Sequence, residues 1–142
     1  MNSLTKFKAD HVLIRVSNFE ETCKWYQDML GASEKLSWEN DGMKFAYYDI
    51  NGFSIEIVGD GQPKPLVKPK EVYDVLKNEG LRLLCFSVDD VTTAYGELKS
   101  KDVKFLNEPF YMDKINKSLV HFFDNNGNVL ELMSEGRASR IV

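Results

Sequence analysis

Residues 51–59 read NGFSIEIVG, and residues 126–134 read NGNVLELMS. In both, a glutamate (Glu56 or Glu131) stands four residues after the glycine of Asn-Gly, with a large aliphatic before it and two apolar residues after it. Side chains alternate across a strand. Ile55 and Ile57, like Leu130 and Leu132, therefore share a face and pack into a core, and the glutamates point to the other face. A glutamate on a solvent face is ordinary, because carboxylates are almost never fully buried unless paired. Here the Glu131 face also carries Val129 and Met133, and the pattern recurs in register.

Both halves of the chain repeat one order around these stretches. HVLIRV (11–16) alternates, with Val12, Ile14 and Val16 on one face and His11, Leu13 and Arg15 on the other. SNFEETCKWYQDMLG (17–31) predicts a helix: Ser17 or Asn18 can cap it, Phe19, Cys23, Tyr26 and Leu30 recur at helical spacing, and Gly31 suits its end. ASEKLSW, MKFAYYDI and FSIEIVG read as three strands joined by turns at 40–42 and 51–52. In the second half LLCFSV (83–88) is a strand, and Asp89 or Asp90 caps a helix running to about Ser100. VKFLNEPF, KSLVHFF and NVLELMS then supply three strands, and the tail after Gly136 reads as loosely held. Val16 matches Val88 and Glu56 matches Glu131, at offsets of 72 and 75 residues. This is an internal duplication.

The expected fold class is α+β: two tandem βαβββ modules forming a curved, partly open mixed sheet with helices outside. The first module spans 8–60 and the second 81–136, within a single domain of residues 1–142. Residues 61–80 form a Pro-rich linker, in which KEVYDVLKNEG predicts a short helix closing at Gly80.

Composition narrows the function classes. The net charge of −4 gives no basic footprint for nucleic acid. No apolar run approaches the length needed to span a membrane, and MNSLTKFKADHVLI lacks a signal peptide's apolar stretch. A cytoplasmic location is expected. Cys23 and Cys85 lack metal or redox spacing and read as small hydrophobes.

The stretches DHVLIRVSNFEETCKWYQDMLG, GLRLLCFSVDDV and FFDNNGNVLEL together resemble the vicinal oxygen chelate superfamily, the group of glyoxalase I, extradiol dioxygenases and fosfomycin- and bleomycin-resistance proteins. The resemblance covers Asp10 to Glu135. It implies four inward metal-ligand positions, and His11, Glu56 and Glu131 match three of them. At the fourth, where the family pattern has His, this chain has Leu83, which cannot coordinate. One imidazole and two carboxylates can still hold Zn, Ni, Mn or Fe, with positions left for water and substrate.

Glu131 or Glu56 is then the candidate proton-transfer base. Arg15, on the His11 face, is a candidate to neutralise a carboxylate or hold an anionic substrate group, and is also readable as a surface arginine. His121 is a candidate displaced ligand or acid–base group, or else faces outward; Cys85 is a weaker thiolate candidate. The resemblance implies a glyoxalase-like small-molecule enzyme, a lyase or isomerase assisted by a divalent metal, in a homodimer. The alternative is a non-metal binding protein of the drug-sequestering kind, with some of Trp38, Phe45, Tyr47, Tyr48, Phe110, Tyr111 and Phe122 lining its groove.

Overall fold

The computed structural model describes residues 5–141. It divides into two compact units, the first ending at Lys64 and the second beginning at Pro65. The first contains β1 (His11–Arg15), α1 (Phe19–Leu30), β2 (Ser33–Asn40), β3 (Met43–Ile50) and β4 (Phe53–Gly59). The second contains α2 (Val72–Val75), β5 (Leu84–Ser87), α3 (Val91–Ser100), β6 (Phe110–Met112), β7 (Lys117–Phe123) and β8 (Val129–Glu135). The expected α+β class and tandem βαβββ order are both present.

Each unit builds its own four-stranded mixed sheet, and the two sheets have one topology. The orders are β1-β4-β3-β2 and β5-β8-β7-β6. In each, the first strand runs parallel to the last, and the remaining pairs are antiparallel. A parallel neighbour needs a crossover, and the helix after each first strand belongs to it. The glutamate strand, β4 or β8, thereby comes to lie between two neighbours.

Burial follows the alternation. Ala46, Tyr48, Ile55 and Ile57 are buried on the helix side of the first sheet, with Cys23 and Tyr26 of α1. Val91, Tyr95 and Leu98 of α3 are buried in the second unit, as are Val120, Phe122, Leu130 and Leu132 of its sheet. At roughly 25 cal/mol per Å² of apolar surface removed from water, these faces supply most of the driving force for each unit. Tight turns set the registers of the first sheet. Asn51 and Gly52 take φ of 48° and 92°, the left-handed pair that a two-residue hairpin loop demands.

Four local expectations differ from the structure. α1 begins after Asn18, but its first free N–H, that of Phe19, is met by Asp60 Oδ1 at 2.8 Å from beyond β4. That contact comes with a close approach of backbone, since a Cβ at Gly59 would stand 2.8 Å from Phe19 Cβ. The short helix α2 ends at Val75, before Gly80. VKFLNEPF is not a strand: only Phe105 makes a bridge, to Phe122, and regular pairing begins at Phe110. Pro109 lacks a ladder donor, and Asn107 turns its amide to the sheet instead. The tail is not loosely held. Ser139 donates from its backbone N–H and its hydroxyl to Asp90, at 2.8 and 2.6 Å, and the Ala138 N–H donates to Ser118 Oγ at 2.8 Å.

Candidate functional site

In the first unit the open face of the sheet carries a run of rings ending in a carboxylate. Trp38 stacks on Phe45 with centroids 5.1 Å apart, and lies 5.3 Å from Tyr47. Tyr47 meets the edge of His11 at 5.0 Å, and His11 Nε2 stands 3.2 Å from Glu56 Oε1. Register explains the assembly. Glu56 is paired with Tyr47 of β3 and Leu13 of β1, so these three share a face, with His11 two residues back along β1.

Glu56 is buried, its side chain 10 % exposed, while His11 keeps 27 %. Asp10 closes the other side of the imidazole, its Oδ2 2.6 Å from Nδ1. Carboxylates thus flank both ring nitrogens. Hydrogen bonding to Asp10, helped by the charges of Asp10 and Glu56, raises the pKa of His11 against the opposing effect of desolvation. Arg15 is not paired with Glu56. Its Nη1 donates to the carbonyls of Val16 and Val58, where β1 and β4 end.

The second unit holds a different pair at the corresponding place. Glu131 is paired with His121 of β7 and Cys85 of β5, as Glu56 is with Tyr47 and Leu13. His121 therefore occupies the position that Tyr47 holds in the first unit, and it faces the glutamate. Its Nε2 lies 2.6 Å from Glu131 Oε2. The pair is enclosed, with side chains 4 % and 17 % exposed, and Phe110 stacks on the imidazole at 6.0 Å. The His121 hydrogen bond holds the Glu131 carboxyl below its ordinary range, against burial, which pushes the other way.

Cys85, an exposed residue, has its thiol pushed up to about 12, first by desolvation around the sulfur and then by its hydrogen bond with Glu131. Such a thiol is un-ionised and a poor nucleophile or ligand near neutrality. Asn107 completes the surroundings of His121. Its Oδ1 accepts the His121 backbone N–H at 2.8 Å, and its Nδ2 lies 3.0 Å from Nδ1. Sequence reading missed Asn107, because the segment that carries it reads as a strand.

Of the three residues expected as one metal-ligand set, His11 and Glu56 belong to the first unit, where they are adjacent, and Glu131 belongs to the second. The fit to a divalent ion differs between units. Two cis ligands at ordinary bond lengths stand about 3 Å apart. The His11–Glu56 spacing matches this, with Asp10 in the place where a carboxylate commonly steadies a ligating histidine. The His121–Glu131 spacing is that of a short charge-assisted hydrogen bond. Among the described residues, no group of three or more His, Cys, Asp or Glu is gathered as an ion would require.

Comparison with known proteins agrees with this architecture. The family model of the Glyoxalase/Bleomycin resistance protein/Dioxygenase superfamily matches residues 8–134. The chain belongs to this superfamily. YraH of Bacillus subtilis (strain 168), an uncharacterized protein, is 26 % identical over 125 residues, spanning 88 % of this chain and 96 % of YraH. The crystal structure of SMU.1112c superposes with a TM-score of 0.75 at 26 % identity, covering 91 % of this chain and all of that one. A point mutant of FosX from Listeria monocytogenes, a fosfomycin resistance protein solved with Mn(II) and 1S,2S-dihydroxypropylphosphonic acid, superposes with a TM-score of 0.71. It is 16 % identical, with 92 % of this chain and 94 % of that one covered, and shares the fold. The likeness to FosX, solved with Mn(II), is one of fold, and the reaction must be argued from the site itself. Among the described residues no helix is long and apolar enough to cross a membrane.

Proposed function

We propose that this protein is a glyoxalase-type enzyme acting on a small organic molecule. Its chemistry is that of a lyase or isomerase in which a carboxylate moves a proton, assisted by a divalent ion (Zn, Ni, Mn or Fe) held through His11 and Glu56. The observation that carries this reading is the 3.2 Å spacing of His11 Nε2 and Glu56 Oε1, with Asp10 on the far ring nitrogen. Glu56 forms no ion pair with Lys or Arg among the described residues, so its neutralisation rests on His11 alone. A buried carboxylate in that situation favours a cation beside it. A bound ion would supply Lewis-acid stabilisation of a developing oxyanion. With two protein donors, the rest of the coordination would come from water and substrate oxygens.

The remaining work belongs to the chain's own groups. Glu131, kept ionised by His121, accepts a proton at its carboxylate. Arg15 uses Nη1 on backbone carbonyls and keeps its other N–H groups for an anionic substrate group. Trp38, Phe45 and Tyr47 offer an apolar platform for the organic part of the ligand. The active protein is a homodimer, a state that light scattering on the eluting peak tests directly.

A second reading, ligand binding without reaction, is favoured by two observations. Leu83 brings no donor where the family pattern has one, and His121 and Glu131 close on each other. Elemental mass spectrometry on untagged, chelator-free protein separates the two readings. Enzyme chemistry with a metal predicts about one equivalent per chain, lost in both His11→Ala and Glu56→Gln. No metal after reloading with each of the four ions, together with quenching of tryptophan fluorescence by an organic ligand, would overturn it in favour of binding.

A further inference from the structure

We propose that Asn107 is a positioning residue that holds the His121 ring as its neutral Nε2–H tautomer, aimed at Glu131. The inference deepens the acid–base role proposed for Glu131 and rests on that reading for its catalytic meaning.

The assignment follows from which groups can only donate. The His121 backbone N–H, 2.8 Å from the Asn107 side chain, has no acceptor capacity, so the amide oxygen must face it. The amide NH₂ is then the group 3.0 Å from His121 Nδ1. It too can only donate, and Nδ1 must receive it with a lone pair. The one ring proton therefore sits on Nε2, in the 2.6 Å hydrogen bond to Glu131 Oε2. A half-turn of the ring would keep its burial and the stack of Phe110 but put carbons against the Asn107 amide and Glu131, so the two hydrogen bonds fix the orientation.

The backbone supplies the reason that Asn107 is there. Leu106 N–H donates to the His121 carbonyl at 2.9 Å and Phe123 N–H to the Lys104 carbonyl at 2.9 Å. The segment before β6 is thus tied along β7 without being a regular strand, and Asn107 is delivered beside residue 121. The first unit makes the opposite arrangement. There a carboxylate, Asp10, stands behind Nδ1, so both nitrogens of His11 face carboxylates. The group behind Nδ1 thus differs between the two His–Glu pairs, an acceptor in the first and a donor in the second. With the amide behind it, the pair in the second unit carries a net negative charge, and Glu131 remains the proton acceptor.

Ring ¹⁵N NMR on the intact protein tests this, and with two histidines in the chain a His121→Phe control assigns the signals. Near neutral pH, His121 should show a pyridine-type Nδ1 and a pyrrole-type Nε2. In Asn107→Asp a carboxylate oxygen replaces the NH₂, and Nδ1 should move to the pyrrole-type range, giving a doubly protonated ring. Asn107→Ala should leave the proton on Nε2, where Glu131 holds it, and shift Nδ1 toward the value of an unbonded pyridine-type nitrogen. A pyrrole-type Nδ1 in the wild-type protein overturns the proposal, as does an Nδ1 signal that neither substitution moves. Amide spectra establish that the variants fold. Should neither fold, the wild-type ring signals alone decide. These signals are read whether or not the protein binds metal or turns over a substrate, so failure of the functional reading is distinguishable from failure of this one.

Discussion

Replacing His121 by Phe should destabilise the second unit strongly for one residue. The substitution keeps a ring of similar shape against Phe110 and deletes the 2.6 Å hydrogen bond to Glu131 together with the acceptor for Asn107 Nδ2. A hydrogen bond to a charged group contributes about 1.5–3 kcal/mol, and stranding a buried amide donor costs about 1–3 kcal/mol more. Glu131 keeps 17 % of its side chain in solvent and is partly rehydrated, so the lower half of the summed range is expected: about 2.5–4 kcal/mol. For a urea m-value of about 2 kcal/mol/M, the midpoint falls by about 1–2 M. Both tryptophans, Trp25 and Trp38, lie in the first unit, so fluorescence reports the wrong half of the molecule. Amide hydrogen exchange along Leu119–Phe123 reports the right one.

The control is His121→Phe combined with Glu131→Leu. With both partners apolar no unpaired carboxylate remains, and at least about half of the loss should be recovered. The effect also has a pH signature. Glu131 has a folded-state pKa below its unfolded value, so its contribution is complete above the ordinary carboxylate range and is lost as pH falls through the folded value. The difference between wild type and variant should therefore shrink in acid. A His121→Phe protein within about 0.5 kcal/mol of wild type at neutral pH, or strict additivity in the double variant, would refute the pairing argument.

Two further outcomes follow from the second unit. Asp90 caps α3 through the Thr93 N–H and holds the tail through Ser139, so Asp90→Ala should cost about 1–2 kcal/mol in a urea melt and raise exchange at residues 138–139. Four hydrogen bonds, from the hydroxyl and N–H of Ser139 and the hydroxyl and N–H of Thr93, push the Asp90 carboxyl well below its ordinary value; the stabilisation is full above that value and lost as pH falls through the folded one. Cys85 should be alkylated by iodoacetamide at pH 8 at least about tenfold more slowly than a free thiol despite its exposure, because its thiol is pushed up to about 12. Glu131→Gln should speed that reaction, and a wild-type rate equal to that of glutathione would contradict the assignment.

The sequence by itself determined the duplication, the strand carrying each glutamate and the face each glutamate takes. These are local properties: period-two alternation, helix spacing and Asn-Gly turns are read within about ten residues. The His11–Glu56 neighbourhood was legible in the same way, since both ends of the first unit carry the pattern and the resemblance pairs them. The partner of Glu131 was not. Alternation in LVHFF fixes the face of His121 relative to Leu119 and Phe123, and which of those faces meets Glu131 depends on how the chain turns between them.

Asp124 decides it by accepting the backbone N–H groups of Asn126 and Asn128, at 2.8 and 2.9 Å. That closes a loop in which residues equidistant from Asn126 become partners, His121 with Glu131 among them. A loop one residue shorter would have placed His121 on the opposite face, because a one-residue change in register turns every side chain over. Asn107 and Asp60 needed the tertiary structure for a related reason. Each leaves its own segment's hydrogen-bonding pattern to satisfy a group on a distant one, and single-sequence periodicity carries no record of such a contact.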